Sequence, residues 1–223
     1  MKTRDSKLEE INKDLCSGFL DQATLKLNEL VKENPEYCFF QKLLADMYYL
    51  QGQVNEAISV FENIVEKNGD YTSGRYGLGI AYYRAGRLLK AIEQFEKIIK
   101  INPQLAMAYY WLGISYRHLG EEEKSIEAYQ RLIELSPESE IANYHLAGVH
   151  MFKKNYREAI KYLEHLSDVS SENAEVYFRL GHCFHNLGEY TKAIQNYKRA
   201  LELNPDNSRC QEMLDMIIHI DEP

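Results

Sequence analysis

A period of 34 residues runs through the chain and leaves few folds open to it. Ala57, Ala91, Ser125, Ala159 and Ala193 lie one period apart, and Leu44, Leu78, Leu112, Leu146 and Leu180 keep the same step. Tyr48, Tyr82, Tyr116, His150 and Phe184 form a third column. Pro35, Pro103, Pro137 and Pro205 share a fourth, and Gly18, Gly52, Gly86, Gly120 and Gly188 a fifth. Neither insertion nor deletion breaks the frame from about Arg4 to Pro205, so six units fit: 4–37, 38–71, 72–105, 106–139, 140–173 and 174–207. A fixed period of this length marks stacked units, each too small to bury its apolar face alone.

Each unit reads as two helices. Between Ala106 and His118, Met107, Tyr110, Leu112 and Tyr116 recur at helical spacing, and Gly120 then breaks the pattern as a glycine just past a helix does. Ile126, Tyr129, Leu132 and Ile133 resume it, until Ser136-Pro137 stops the second helix because the residue before proline is driven out of the helical region. Gly79, Gly113, Gly181 and the alanine column let helix axes approach closely, with aromatics such as Tyr82 and Phe95 filling the space beside them.

The chain resembles the tetratricopeptide repeat, a helix-turn-helix unit with Leu-Gly, Tyr, Ala, Phe and Pro at set offsets. Here the pattern stands as Leu78-Gly79, Tyr82, Ala91, Phe95 and Pro103, and again as Leu180-Gly181, Phe184, Ala193, Tyr197 and Pro205. The resemblance implies an all-α, right-handed solenoid of about six repeats, forming a single domain over residues 1–223. Asn207 to Ile220 adds one more helix, whose Met213, Leu214, Met216, Ile217, Ile218 and Ile220 give it an apolar surface wider than one stripe. Capping is its expected role, with a homodimer interface as the alternative. The first unit carries Glu10 and Asp14 where later units have leucine and an aromatic or histidine, which suits a wettable end. The fifth drifts most: His150 stands in the tyrosine column, Lys154 in the glycine column and Ser171 in the proline column, enough to bend the stack locally.

Charge narrows the function classes. Lys and Arg number 26 against 34 Asp and Glu, a net charge of -8, which argues against nucleic acid because such binding needs a concentrated basic footprint. No apolar run approaches the roughly 18 residues of a membrane span. Met1 to Asp14 is charged throughout and lacks a signal-peptide core. Cys16, Cys38, Cys183 and Cys210 lie far apart without a CxxC pair, so reduced thiols in a cytoplasmic setting are expected.

No catalytic constellation stands out: there is no GxSxG, no phosphate loop and no HExxH, and the glycines punctuate helix pairs. The chain is expected not to be an enzyme and to need no cofactor. His182 and His185 share a helix face, yet two imidazoles are not a ligand set, so they are read as surface or groove histidines and no metal is assigned.

In tetratricopeptide stacks the first helix of each unit lines a concave surface that holds a partner's peptide or helix. Carrying the groove-facing columns across gives Lys42, Tyr76, Tyr110, Tyr144 and Phe178 as one row. Asp46, Ile80, Ile114, Gly148 and His182 form the next, then Tyr49, Tyr83, Arg117, Met151 and His185, then Arg84, His118, Phe152 and Asn186. The candidate binding residues are therefore Tyr49, Tyr76, Tyr83, Arg84, Tyr110, Arg117, Tyr144, Met151, Phe152 and Phe178. Rigid aromatics supply contact area cheaply, methionine adapts its shape, and aromatics with Arg are typical anchors. The family's carboxylate-gripping clamp is missing, because Lys42 and Asp46, Gly77, Met107 and Trp111 occupy its positions. The expected protein is an adaptor or scaffold with a protein or peptide partner. A self-assembling module, or the regulatory region of a larger protein, stands as the alternative. The chain has 17 Tyr against 8 Phe, and all but Tyr162 share a column with another tyrosine. Most therefore follow the repeat, and only Tyr49, Tyr76, Tyr83, Tyr110 and Tyr144 are candidates for a surface.

Overall fold

The computed structural model describes residues 4–220, with side chains described through Ile218. Thirteen α-helices and no strand occur among the described residues. The first helices of the successive repeats are α1 (Arg4–Cys16), α3 (Cys38–Leu50), α5 (Thr72–Arg84), α7 (Ala106–His118), α9 (Glu140–Phe152) and α11 (Ala174–Asn186). The second helices are α2 (Leu20–Glu33), α4 (Val54–Lys67), α6 (Leu88–Ile101), α8 (Glu122–Leu135), α10 (Tyr156–Val169) and α12 (Tyr190–Leu203), and α13 (Ser208–Ile220) follows them. No helix among the described residues is long and apolar enough to cross a membrane. The fold is an all-α repeat solenoid, and the chain divides into two compact units, Met1–Gly120 and Glu121–Pro223.

Within each unit, helices pair inside a repeat, and the second helix of one repeat packs on the first helix of the next. The small-residue columns make these approaches possible. Gly79 lies against Phe95, so close that a Cβ there would come 2.6 Å from Phe95 Cζ, and Gly181 lies against Tyr197 in the same way. Ala23, Ala57, Ala91, Ala159 and Ala193 are completely buried. Tyr82 and Tyr116 donate hydroxyl hydrogen bonds to Glu62 and Glu96, the matching carboxylates on the preceding repeat's second helix.

The first repeat carries its polar substitutions on partners within the unit. Lys26 of α2 donates to Asp14 of α1 at 2.6 Å, and Lys7 pairs with Glu33. Ile11, Leu27 and Leu30 bury its apolar face against Phe40 and Leu44 of α3. In the fifth repeat the helices keep their lengths and phase despite the drift in sequence. Its turn is built on Lys154 at φ 61°, where the glycine column has φ of 72–79°. Ser170 caps α10 with the backbone that Asn102 and Ser136 give α6 and α8, although Ser171 replaces the proline. In α13, Cys210, Leu214 and Ile217 are buried against α12 and the second unit's core, while Met216 and Ile218 stay exposed.

Candidate functional site

Each unit holds a cleft built from the first helices of neighbouring repeats. In the first unit a cavity of about 340 Å³ opens between α3 and α5. Tyr49, Tyr76 and Ile80 line it, with Leu50 at its margin and Phe61 of α4 behind. The ring of Phe61 can lie there because residue 77 is glycine; a Cβ would meet Phe61 Cζ at 2.3 Å. Lys42 and Asp46 close one side as an ion pair at 2.5 Å, so this lining carries no uncompensated charge from that pair.

A second cavity, of about 220 Å³, lies in the second unit between α9, α11 and the start of α13. Met151 and Phe178 give it an apolar side, and Arg179, Glu175 and Arg209 a charged one, with His182 beside them. Arg179 donates from Nε to Glu175 and from Nη2 to the Tyr144 hydroxyl, both at 2.6 Å, with its guanidinium 4.2 Å from the Tyr144 ring centre. The Arg209 guanidinium stands 5.3 Å over the ring of Phe178. Burial holds the His182 imidazole below its ordinary pKa, and the charges of Arg209 and His185 push it the same way.

Of the ten residues expected to face a groove, Tyr49 and Tyr76 line the first cleft, and Met151 and Phe178 the second. Phe178 is a buried wall, packed on Tyr197, more than an exposed anchor. Tyr83 and Tyr110 gather round Trp111, each edge-on to it with ring centres 5.2 and 5.3 Å apart. Tyr83 also stacks on His118, and its hydroxyl lies 3.1 Å from His118 Nδ1. Arg84 is exposed, Arg117 half-buried, Tyr144 held by Arg179, and Phe152, at 75%, the most exposed large apolar residue among those described. All five candidate tyrosines are half-buried, whereas Tyr82, Tyr129 and Tyr197 are buried in packing.

The structure adds residues the column reading passed over. Trp111 Nε1 donates to the Tyr76 hydroxyl at 2.8 Å, and Arg179 does the same for Tyr144. Trp111 and Arg179 share a column, so the repeat supplies a strut that takes up the tyrosine hydroxyl from the next first helix. The signal was present one position beyond the tyrosine column. Leu50 extends the Arg84 row one repeat back, and Arg209 extends the Glu175 column one repeat forward.

No group of three or more His, Cys, Asp or Glu arranged to hold a metal occurs among the described residues. His182 meets Tyr156 and His185 meets Tyr190, each edge-on. Cys183 between them is buried, its thiol pushed up to about 12 by burial against the opposing charge of Arg179.

Helix pairs at a 34-residue pitch, with clefts on their first helices, define a helical-repeat protein. Tetratricopeptide repeat models match residues 42–106, 76–140, 141–173 and 174–207, and the chain belongs to the tetratricopeptide repeat family. Among solved structures it is similar to the MamA protein, with 23% identity and a TM-score of 0.72 over 77% of this chain and 94% of that one. It is also similar to YrrB, a tetratricopeptide repeat protein with an unusual peptide-binding site, at 17% identity and a TM-score of 0.72 over 83% and 96%. A tetratricopeptide repeat protein from Parabacteroides merdae matches at 15% identity and a TM-score of 0.74 over 96% and 98%. At these identities the likeness is one of fold. No curated protein matches the chain in sequence.

Proposed function

We propose that the protein is a non-enzymatic adaptor whose first helices bind a peptide or helix of a partner. The observation that carries this reading is the pair of clefts, walled by half-buried Tyr49, Tyr76 and Met151 and by buried Phe178, all from the columns expected to face a groove. Tyr83, Arg84, Tyr110 and Arg117 contribute in the first unit, and Tyr144, Met151 and Phe152 in the second, with Tyr49, Tyr76 and Phe178 as cleft walls. Partly exposed aromatics beside Arg are the residue types that carry binding energy in interfaces. Because three of the tyrosine hydroxyls are taken up within the array, these rings would offer a partner mainly their faces and edges. That YrrB, a protein of this fold, has a peptide-binding site supports the reading. A reducing, cytoplasmic setting suits the four free thiols.

Affinity capture from native lysate tests the proposal. Tyr144→Ala combined with Arg117→Ala should abolish recovery of the partner; unchanged recovery would sink the groove reading. A second reading, self-assembly through α13, is favoured by the exposed Met216 and Ile218 on that helix.

A further inference from the structure

The two clefts are one place in the repeat, filled with different chemistry. Ser73, Gly77 and Ile80 of the first cleft correspond, three repeats on, to Glu175, Arg179 and His182 of the second. One period beyond Ser73 stands Met107; one period beyond Glu175 stands Arg209. The fold accepts an uncharged side chain, Met107, at the position Arg209 holds, so the Arg209 guanidinium is not a demand of the repeat.

Arg179 and Arg209 are not equivalent. Arg179 is committed to Glu175 and to Tyr144. Arg209 rests over the Phe178 ring, and no carboxylate among the described residues pairs with it. It also stands in the first turn of α13, the end of a helix where the backbone dipole favours an anion and opposes a cation. The ring face offsets part of that opposition. Asp206 and Asn207 already take up the N–H groups of Ser208, Cys210 and Gln211, so a carboxylate arriving here would meet the guanidinium. Gly148 leaves the opposite wall open, since a Cβ added there would touch only Arg179 Nη1, at 3.6 Å.

We propose that the second-unit cleft is a subsite for one side-chain carboxylate, Asp or Glu, of a bound partner peptide, gripped by Arg209 and flanked by an apolar residue against Met151 and Phe178. The inference rests on the groove reading above and adds to it the chemistry of the partner. Glu175 neutralises Arg179, which leaves one uncompensated guanidinium and so matches a single negative charge better than a dianionic phosphate. The net charge of -8 does not prevent this, because charges farther away than a Debye length, about 8 Å at physiological salt, are largely screened.

Panning a random peptide library displayed on phage against the full chain and its Arg209→Gln and Arg209→Glu variants tests the subsite. The native protein should enrich Asp or Glu next to an apolar residue. Arg209→Gln should lose the acidic preference and keep the apolar one, and Arg209→Glu should turn the preference towards Lys and Arg. A synthetic peptide from the native pool should bind Arg209→Gln about tenfold more weakly, with a shallower dependence on salt. An apolar pool without acidic preference would overturn the subsite and leave the groove reading standing. An acidic preference unchanged in Arg209→Gln would also overturn it, by moving recognition elsewhere. A native pool no different from the starting library would overturn the groove reading and the subsite together.

Discussion

Lys154 holds a left-handed backbone, at φ 61°, that five glycines hold at the equivalent turns. The turn closes on the same hydrogen bonds: Lys154 N donates to Met151 O and Asn155 N to His150 O, as Gly86 N does to Tyr83 O and Arg87 N to Tyr82 O. A lysine there is strained by its Cβ, at roughly 1–2 kcal/mol, whereas glycine gives back roughly 0.5–1 kcal/mol in lost chain entropy. Lys154→Gly should therefore stabilise the protein by about 0.5–1 kcal/mol, read as a higher urea midpoint at unchanged slope. The sequence shows the substitution plainly, and its expected consequence was a local bend of the stack. What single residues do not reveal is that the bonds on either side of the turn enforce the backbone whatever residue occupies it. The tyrosines carry the same lesson. Columns tell which of them recur, and packing adds how far each is buried: Tyr129 and Tyr197 fully, Tyr76 and Tyr110 half, beside Trp111.

Between elements, the strut from Trp111 on α7 to Tyr76 on α5 joins two first helices, as Arg179 on α11 joins Tyr144 on α9. Tyr76→Phe removes the acceptor and leaves a partly buried indole N–H without its partner, a loss of about 1 kcal/mol. Trp111 is the only tryptophan, so its fluorescence reports the strut directly. The variant should shift the emission and lower the denaturation midpoint, whereas an unmoved emission would mean that the bond does not hold the ring. Helix boundaries were legible at this scale because glycine, proline and the 3.6-residue period act locally. The struts were not, because their partners sit one position off the tyrosine column and meet through side-chain direction, which column spacing does not encode. The charged cleft was hidden for another reason. Arg209 belongs to α13, beyond the six units of the repeat frame, and its column partner Glu175 carries the opposite charge.

For the molecule as a whole, α13 presents two faces, one packed on the second unit's core and one carrying the exposed Met216 and Ile218. α13 covers the second unit's core with Cys210, Leu214 and Ile217. Burial of Leu214 and Ile217 alone is worth roughly 3–6 kcal/mol, at roughly 1.5–3 kcal/mol for each side chain. A chain ending at Asp206 would expose the surface these residues cover, including that of Tyr197 and Ala200. If α13 is a cap, light scattering should find the full chain monomeric, and the shortened chain should be less stable and prone to associate through its bared core. If Met216 and Ile218 instead form a dimer interface, the full chain should scatter as a dimer and the substitutions Met216→Ser and Ile218→Ser should return it to a monomer. These residues are 50% and 40% exposed, and each lies beside a buried position of the same helix. The two serine substitutions would leave the cap's inner face intact, so association that disappears with them belongs to the outer face, and association that appears only on truncation belongs to the core.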